Sequence, residues 1–335
     1  MDAKIVFSLV LLLALGNITF FSCEPVSLAI GGIGAVIAAA GLGKQGYCYF
    51  KECCQLKWTY HNITGLEQYL EANVFGQHLL LKIVTKAIKE HKEDKHPGKP
   101  LVLSFHGSTG TGKNFVSGII AQHLYGKGLD SNYVHRIISS HEFPLQDSGK
   151  LDWYKDKLKR MIKDGIMKCQ YALFIIDEVD KMPPGLINVL KPYLDYNDKI
   201  DGYDFRKSIF IFLGNTGVDE INQVAIDYFK QGLLREDISM KSMNKLLKTL
   251  SYHTGGMVKS TLIDHHLVDF HVPFLPLEKA HIRSCAAVEF KKRNRKYDET
   301  HIEQVVNEIE FFPQGEDIYS VSGCKNVKRI VQVIL

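Results

Sequence analysis

The stretch Leu101-Val102-Leu103-Ser104-Phe105-His106-Gly107-Ser108-Thr109-Gly110-Thr111-Gly112-Lys113-Asn114 decides the fold. Residues 101–105 make a mostly apolar run of strand length, and residues 114–125 carry apolar side chains at helical spacing. Between them, Gly107 to Lys113 matches the pattern GxxxxGK. The strand before it and the helix after it separate a phosphate-binding loop from a glycine-rich turn with a chance lysine. Glycines let the backbone wrap a phosphate with its N–H groups pointing inward, and the following helix adds its positive end. Gly107, Ser108, Thr109, Gly110, Thr111 and Gly112 are therefore candidate nucleotide contacts, with Lys113 reaching the terminal phosphates. The next position usually carries a hydroxyl that meets magnesium, and here it is Asn114. A carboxamide oxygen also binds a hard cation, directly or through water, so Asn114 is a candidate nucleotide and Mg2+ contact with altered reach.

Outward from this loop the chain alternates. Residues 133–138, 172–176 and 208–213 read as strands, and residues 152–169, 186–194, 218–231 and 239–250 as helices. Strands with no inside–outside alternation, separated by helices, predict a parallel sheet covered on both faces. Residues 66–89 predict an amphipathic helix or a helix pair ahead of the sheet. Beyond Phe274-Leu275-Pro276-Leu277 the apolar strands stop, and residues 277–292, 300–309 and 326–334 predict a small helical domain. The expected fold class is thus α/β, with a P-loop domain over residues 44–273 and a helical domain over 274–335.

Three further signals carry chemistry. Leu173-Phe174-Ile175-Ile176-Asp177-Glu178 predicts a buried strand ending in two carboxylates, at the end of a parallel sheet where ligands bind. Asp177 is the candidate magnesium ligand and Glu178 the candidate general base. The following pair, Asp180 and Lys181, reads as a solvated helix start. Phe210-Ile211-Phe212-Leu213-Gly214-Asn215 places a polar residue at the next strand end, where Asn215 orients the attacking water or merely caps a turn. Gly323-Cys324-Lys325, before the last helix, offers Lys325 to the nucleotide, although an exposed lysine is the default for so short a motif.

The N-terminus predicts entry into the secretory pathway. Lys4, an apolar run over residues 5–15, and small residues near Ser22 and Cys23 make a signal peptide of residues 1–23. Residues 24–43 hold a glycine-rich apolar segment. Two readings compete for it, a membrane-associated segment and a buried hairpin, and its lack of a polar face favours the membrane. Of the seven cysteines only Cys23 precedes the expected cleavage point, and the even remainder suggests disulfides. Asn62-Ile63-Thr64 is a glycosylation sequon that suits a lumenal protein. The net charge of +4 comes from scattered residues, and the one dense cluster, Lys291 to Lys296, reads as a solvated helix face. With no basic stripe and no base-stacking motif, nucleic-acid binding is excluded.

Taken together, Gly107 to Asn114, Asp177-Glu178, Asn215 and Gly323-Cys324-Lys325 resemble the AAA+ ATPases, and within them the torsins of the endoplasmic reticulum and nuclear envelope. Cys48 with Cys53-Cys54, Phe75-Gly76-Gln77-His78, Leu194-Asp195-Tyr196 and Val272 to Leu277 support the torsin likeness. The resemblance implies ATP with Mg2+, Asp177 serving the metal, Glu178 hydrolysis, Asn215 the first sensor and Lys325 the second. It also implies a Cys285–Cys324 disulfide that makes the nucleotide response redox-sensitive, and an N-terminal segment that associates with the membrane without spanning it. The stretch 264–274 contains no arginine to complete a neighbour's site. By the same likeness, turnover is weak until a membrane-anchored activator supplies an arginine from its lumenal domain. The implied role is a chaperone or remodelling ATPase, with self-assembly left open. The alternative is a nucleotide-gated binding module with little hydrolysis. A GTPase is disfavoured because no NKxD-type motif is present.

Overall fold

All seven residues of strand β1, Leu101–Gly107, are buried. In the computed structural model the described residues are 48, 51–59, 62–144, 148–253, 262 and 266–334. The signal peptide and hydrophobic segment expected over residues 1–43 lie outside them. The unit described below begins at Glu52.

Helices α1 (Ile63–Asn73) and α2 (His78–Glu93) precede β1, so the region over 66–89 is a helix pair. They part at Gly76, whose φ of +66° suits the break. Asn62 is the exposed N-cap of α1, its side chain accepting from the Gly65 amide at 2.8 Å. After β1 come α3 (Lys113–Leu124), β2 (Val134–Ile138), α4 (Leu151–Lys168), β3 (Leu173–Asp177), β4 (Ile209–Gly214), α5 (Val218–Lys230), α6 (Met240–His253) and β5 (Phe270–Phe274). The five strands form one parallel sheet in the order β2-β3-β4-β1-β5.

Alternate strand residues feed two cores, as expected of a sheet covered on both faces. Leu103, Phe105, Ile175 and Ile211 pack with Leu80, Val84 and Ile120 of α2 and α3. Val102, Phe174, Ile176, Phe210 and Phe212 pack with Leu158, Ile162 and Ile166 of α4. Each fully buried side chain of this size contributes about 1.5–3 kcal/mol. Phe174 stacks on Phe210 at 4.7 Å between ring centroids. Gly165 is what admits the Phe174 ring to α4, because a Cβ there would sit 2.7 Å from it.

Two expectations need correction. The single helix expected over 186–194 is a 3-10 turn, Leu186–Leu190, followed by a short helix, Lys191–Leu194. Pro192 in the first turn of the short helix has no N–H to continue an α-helix from the preceding turn. The sheet also has an unanticipated fifth strand, β5. Pro273 is tolerated in it because β5 is an edge strand.

The C-terminal part holds α7 (Lys279–Lys292), α8 (Glu299–Asn307) and α9 (Val327–Ile334). A short antiparallel pair, β6 (Phe311–Phe312) and β7 (Tyr319–Ser320), was not expected among them. Leu277, Ile282, Phe290, Ile302, Val305 and Val331 give this part its own core. Cys285 of α7 is bonded to Cys324, just before α9, across 39 residues, and Cys54 to Cys169 across 115. By the chain-entropy relation, closing the shorter loop stabilises by about 3–4 kcal/mol. Cys285→Ser is therefore expected to lose that much unfolding free energy, read as a lower urea midpoint in a titration without reductant. An unchanged midpoint would show that the bond does not constrain the unfolded chain.

Candidate nucleotide-binding site

The strand order builds the site. β4 lies between β1 and β3, so the C-terminal ends of these three strands bring the glycine loop, Asn215 and Asp177-Glu178 side by side. In a parallel sheet this end is where ligands bind.

The loop from Gly107 to Gly112 turns on positive φ angles at Gly107, Gly110 and Gly112. Gly110 meets the C-terminal part directly, since a Cβ there would lie 1.8 Å from the Ser322 carbonyl oxygen. The Cys324 N–H donates to Gly110 O at 3.0 Å. The Gly323-Cys324-Lys325 step therefore rests on the phosphate loop, with the Lys325 Cβ beside Gly110 and the Lys325 side chain exposed.

Lys113 opens α3 and is 8% exposed. Its Nζ donates to Gly107 O, to Ser108 O at 3.0 Å and to Asn215 Oδ1 at 3.1 Å. Burial pushes its ammonium down to about 8, against the opposing pull of the Asp180 and Asp177 carboxylates. Ser108 Oγ is enclosed without a hydrogen-bond partner. An orphaned hydroxyl on the glycine loop, in the residue whose carbonyl holds the Lys113 ammonium, is chemistry that fits a phosphate oxygen.

On the other side of β4, Asn114 Nδ2 donates to Asp177 Oδ2 at 2.6 Å, and the Glu178 N–H donates to Asp177 Oδ1 at 2.8 Å. These donors hold the Asp177 carboxylate in one orientation. Among the described residues there is no cluster of three or more His, Cys, Asp or Glu side chains suited to a metal. One carboxylate and one carboxamide fit magnesium held chiefly by phosphates and water, rather than a cation held by an all-protein cage.

Glu178 adopts a left-handed backbone, with φ of 56°. Its Oε1 accepts from Lys181 Nζ at 2.5 Å, and its Oε2 accepts from Ser140 Oγ. Hydrogen bonds from Lys181 and then Ser140 hold its carboxyl below the usual glutamate range. Asp180 accepts from the Asn215 backbone N–H at 3.0 Å. The reading of Asp180 and Lys181 as a merely solvated pair is thus corrected: one braces Asn215 and the other engages Glu178.

Gln77 was not singled out for a role in the site. It is 2% exposed, and its carboxamide bridges the phosphate loop and the exit of β5. Nε2 donates to Thr111 O at 3.2 Å and to Leu275 O at 2.9 Å, while the Leu275 N–H donates to Oε1 at 2.9 Å. Arg235 braces the same junction, donating to Gly76 O at 2.6 Å and to Pro276 O at 2.7 Å and pairing with Glu278 at 3.3 Å. With its side chain 8% exposed, its charge is used inside the chain.

A parallel sheet of this order, with the glycine loop after β1, the acidic pair after β3 and asparagine after β4, defines the AAA+ class of P-loop proteins. Solved structures carry the same fold. The Saccharomyces cerevisiae Hsp104–ADP complex superposes with a TM-score of 0.58 at 18% identity, over 81% of this chain and 46% of that one. The closed state of Hsp104 with ATPγS and FITC casein gives 0.55 at 16% identity, again over 81% and 46%. This chain therefore spans less than half of either Hsp104 chain.

The chain belongs to the torsin family. The Torsin family profile matches residues 48–176, and the profile for the Torsin-1A C-terminal domain matches residues 277–332. A Torsin-like protein of Caenorhabditis elegans is 39% identical over 328 residues, covering 94% of this chain and 92% of that protein. One of Drosophila melanogaster is 37% identical over 320 residues, covering 94% and 93%. Among the described residues no helix is long and apolar enough to cross a membrane.

Proposed function

We propose that this protein binds ATP with Mg2+ and hydrolyses it, slowly alone and rapidly when a membrane-anchored partner donates an arginine. We place this work, a chaperone or remodelling role, in the lumen of the endoplasmic reticulum and nuclear envelope. The observation that carries the reading is the convergence of Lys113, Asn114, Asp177, Glu178 and Asn215 at the C-terminal end of the sheet, under a C-terminal step seated on Gly110.

In this reading the loop amides and Lys113 bind the phosphates, and Asp177, oriented by Asn114, holds the magnesium. The metal supplies charge neutralisation at the phosphates. Glu178 takes the proton of the attacking water, and Asn215, braced by Asp180, orients that water. Lys325 approaches the nucleotide from the C-terminal part. Placement in the lumen rests on family membership together with the leader-like residues 1–23 and the sequon at Asn62.

Binding is tested at Lys113. Replacing its buried ammonium with an apolar stem in Lys113→Met removes a charge-assisted contact to phosphate worth about 3 kcal/mol, roughly 100-fold in affinity. Titration with a fluorescent ATP analogue is expected to show that loss with the fold intact by circular dichroism. Unchanged affinity would remove this loop as the ATP site.

A second reading is favoured by one observation: both carboxylate oxygens of Glu178 are already engaged, by Lys181 and Ser140. A site resting in that state suits a nucleotide-gated binder with little hydrolysis. The two readings part on whether ATP is turned over when a partner is present.

A further inference from the structure

The α4-side face of the sheet is apolar at Val102, Phe210 and Phe212, yet at its site-facing end it buries Ser104, His106 and His271. His106 immediately precedes the glycine loop, and Ser104 and His271 face each other across the β1–β5 pairing. His106 Nδ1 lies 3.2 Å from the carbonyl oxygen of Thr216, the residue after Asn215. His106 Nε2 lies 2.9 Å from Ser104 Oγ and 3.1 Å from His271 Nδ1. The backbone N–H of His271 donates to Asn244 Oδ1 of α6 at 3.0 Å.

The proton placement follows from the partners. A carbonyl only accepts, so Nδ1 of His106 carries the hydrogen and donates it to Thr216 O. Nε2 is then a lone pair, served by the Ser104 hydroxyl and the His271 Nδ1–H. Burial, then the neighbouring His271 and Lys113, hold the His106 imidazole down to about 3, against the raising effect of the Thr216 carbonyl. Burial and then Lys248 hold His271 down to about 4. Both rings stay neutral across the physiological range, so the array is a fixed strut and not a pH switch. An apolar residue would fill this space without the desolvation that two buried imidazoles carry, and among the described residues the His106 ring reaches out of the cluster to the turn that presents Asn215.

We propose that His106 is a positioning residue, its Nδ1–H to the Thr216 carbonyl fixing the Asn215 turn against the phosphate loop and tying that turn, through His271, to the strand that leads into the C-terminal part. This rests on the hydrolytic reading above, in which Asn215 orients the water. His106 touches no substrate atom and acts only through the turn.

The carboxamide of asparagine places a donor near the former Nδ1, and that of glutamine near the former Nε2. His106→Asn keeps the Thr216 link and His106→Gln loses it. In single-turnover ATP hydrolysis by the intact chain, the Asn variant is expected within about 3-fold of wild type and the Gln variant at least about 10-fold slower, with ATP affinity unchanged within about 3-fold in both. Equal rates in the two variants, or a rate loss matched by an equal affinity loss, would overturn the proposal. If the Gln variant fails to fold, His271→Phe keeps the Thr216 link while removing the His271 donor to Nε2. It is expected to slow hydrolysis by about 2- to 5-fold at unchanged affinity, and no change there would count against the coupling. Nitrogen chemical shifts of His106 provide a readout independent of turnover. They are expected to report an Nδ1–H tautomer from pH 6 to pH 8 or so, and an Nε2–H tautomer would sink the proposal. If wild type hydrolyses nothing under any condition, the functional reading fails, and the tautomer still decides where the strut's proton lies.

Discussion

Glu178→Gln is expected to bind ATP as tightly as wild type and to hydrolyse it at least about 100-fold more slowly, the usual contribution of a positioned general base. The substitution is close to isosteric. Its amide oxygen still accepts from Lys181 and its backbone N–H still donates to Asp177, so the site keeps its shape. What it loses is a carboxylate able to take a proton from water. Filter binding of labelled ATP and release of labelled phosphate separate the two properties. Equal phosphate release from wild type and variant would assign any observed turnover to something other than this residue and would favour the nucleotide-gated binder.

The second large effect concerns the arginine that the proposed function assigns to a partner. The stretch 264–274 has no arginine, and Arg235 nearby is occupied with Gly76, Pro276 and Glu278. An arginine reaching the transferring phosphoryl group accelerates its transfer by about 10³-fold or more. A partner captured on the ATP-loaded Glu178→Gln chain, purified and added back to wild type, is expected to raise hydrolysis by that order. Replacing its contributing arginine with lysine is expected to abolish the gain, because a point charge does not reproduce the planar fork of the guanidinium. Acceleration that survives the replacement would mean that the partner acts another way, for example by freeing Glu178 from Lys181 and Ser140.

The central sheet was legible because a buried parallel strand writes itself as an unbroken apolar run, as at Ile209–Gly214. β5 was not, because His271 and Pro273 interrupt its run, and only its edge position makes the proline acceptable. The two-residue strands β6 and β7 are too short to carry any period. In the site, Lys113, Asp177, Glu178 and Asn215 were visible because each follows or ends a recognisable strand. Gln77 was invisible in this respect: its partner Leu275 lies 198 residues away, and no local pattern announces a contact of that range. Asp180 and Lys181 failed for a different reason. An acidic–basic pair after a strand looks the same whether it meets water or the neighbouring candidate site residues Asn215 and Glu178. Gly323-Cys324-Lys325 is too short a motif to carry its role alone; the family likeness supplied it, and the structure adds the Cys324 N–H on Gly110 O. The pairing of Cys285 with Cys324 came from the family likeness and matches the bond in the structure.

The most direct test is single-turnover hydrolysis of ATP by the intact chain, measured alone, with the captured partner, and with that partner carrying lysine for its arginine. The account predicts slow phosphate release alone, release faster by about 10³-fold with the partner, and a return to the slow rate with either the lysine replacement or Glu178→Gln. Bound ATP that stays intact with the unmodified partner would contradict it, and would leave a protein that grips nucleotide without spending it.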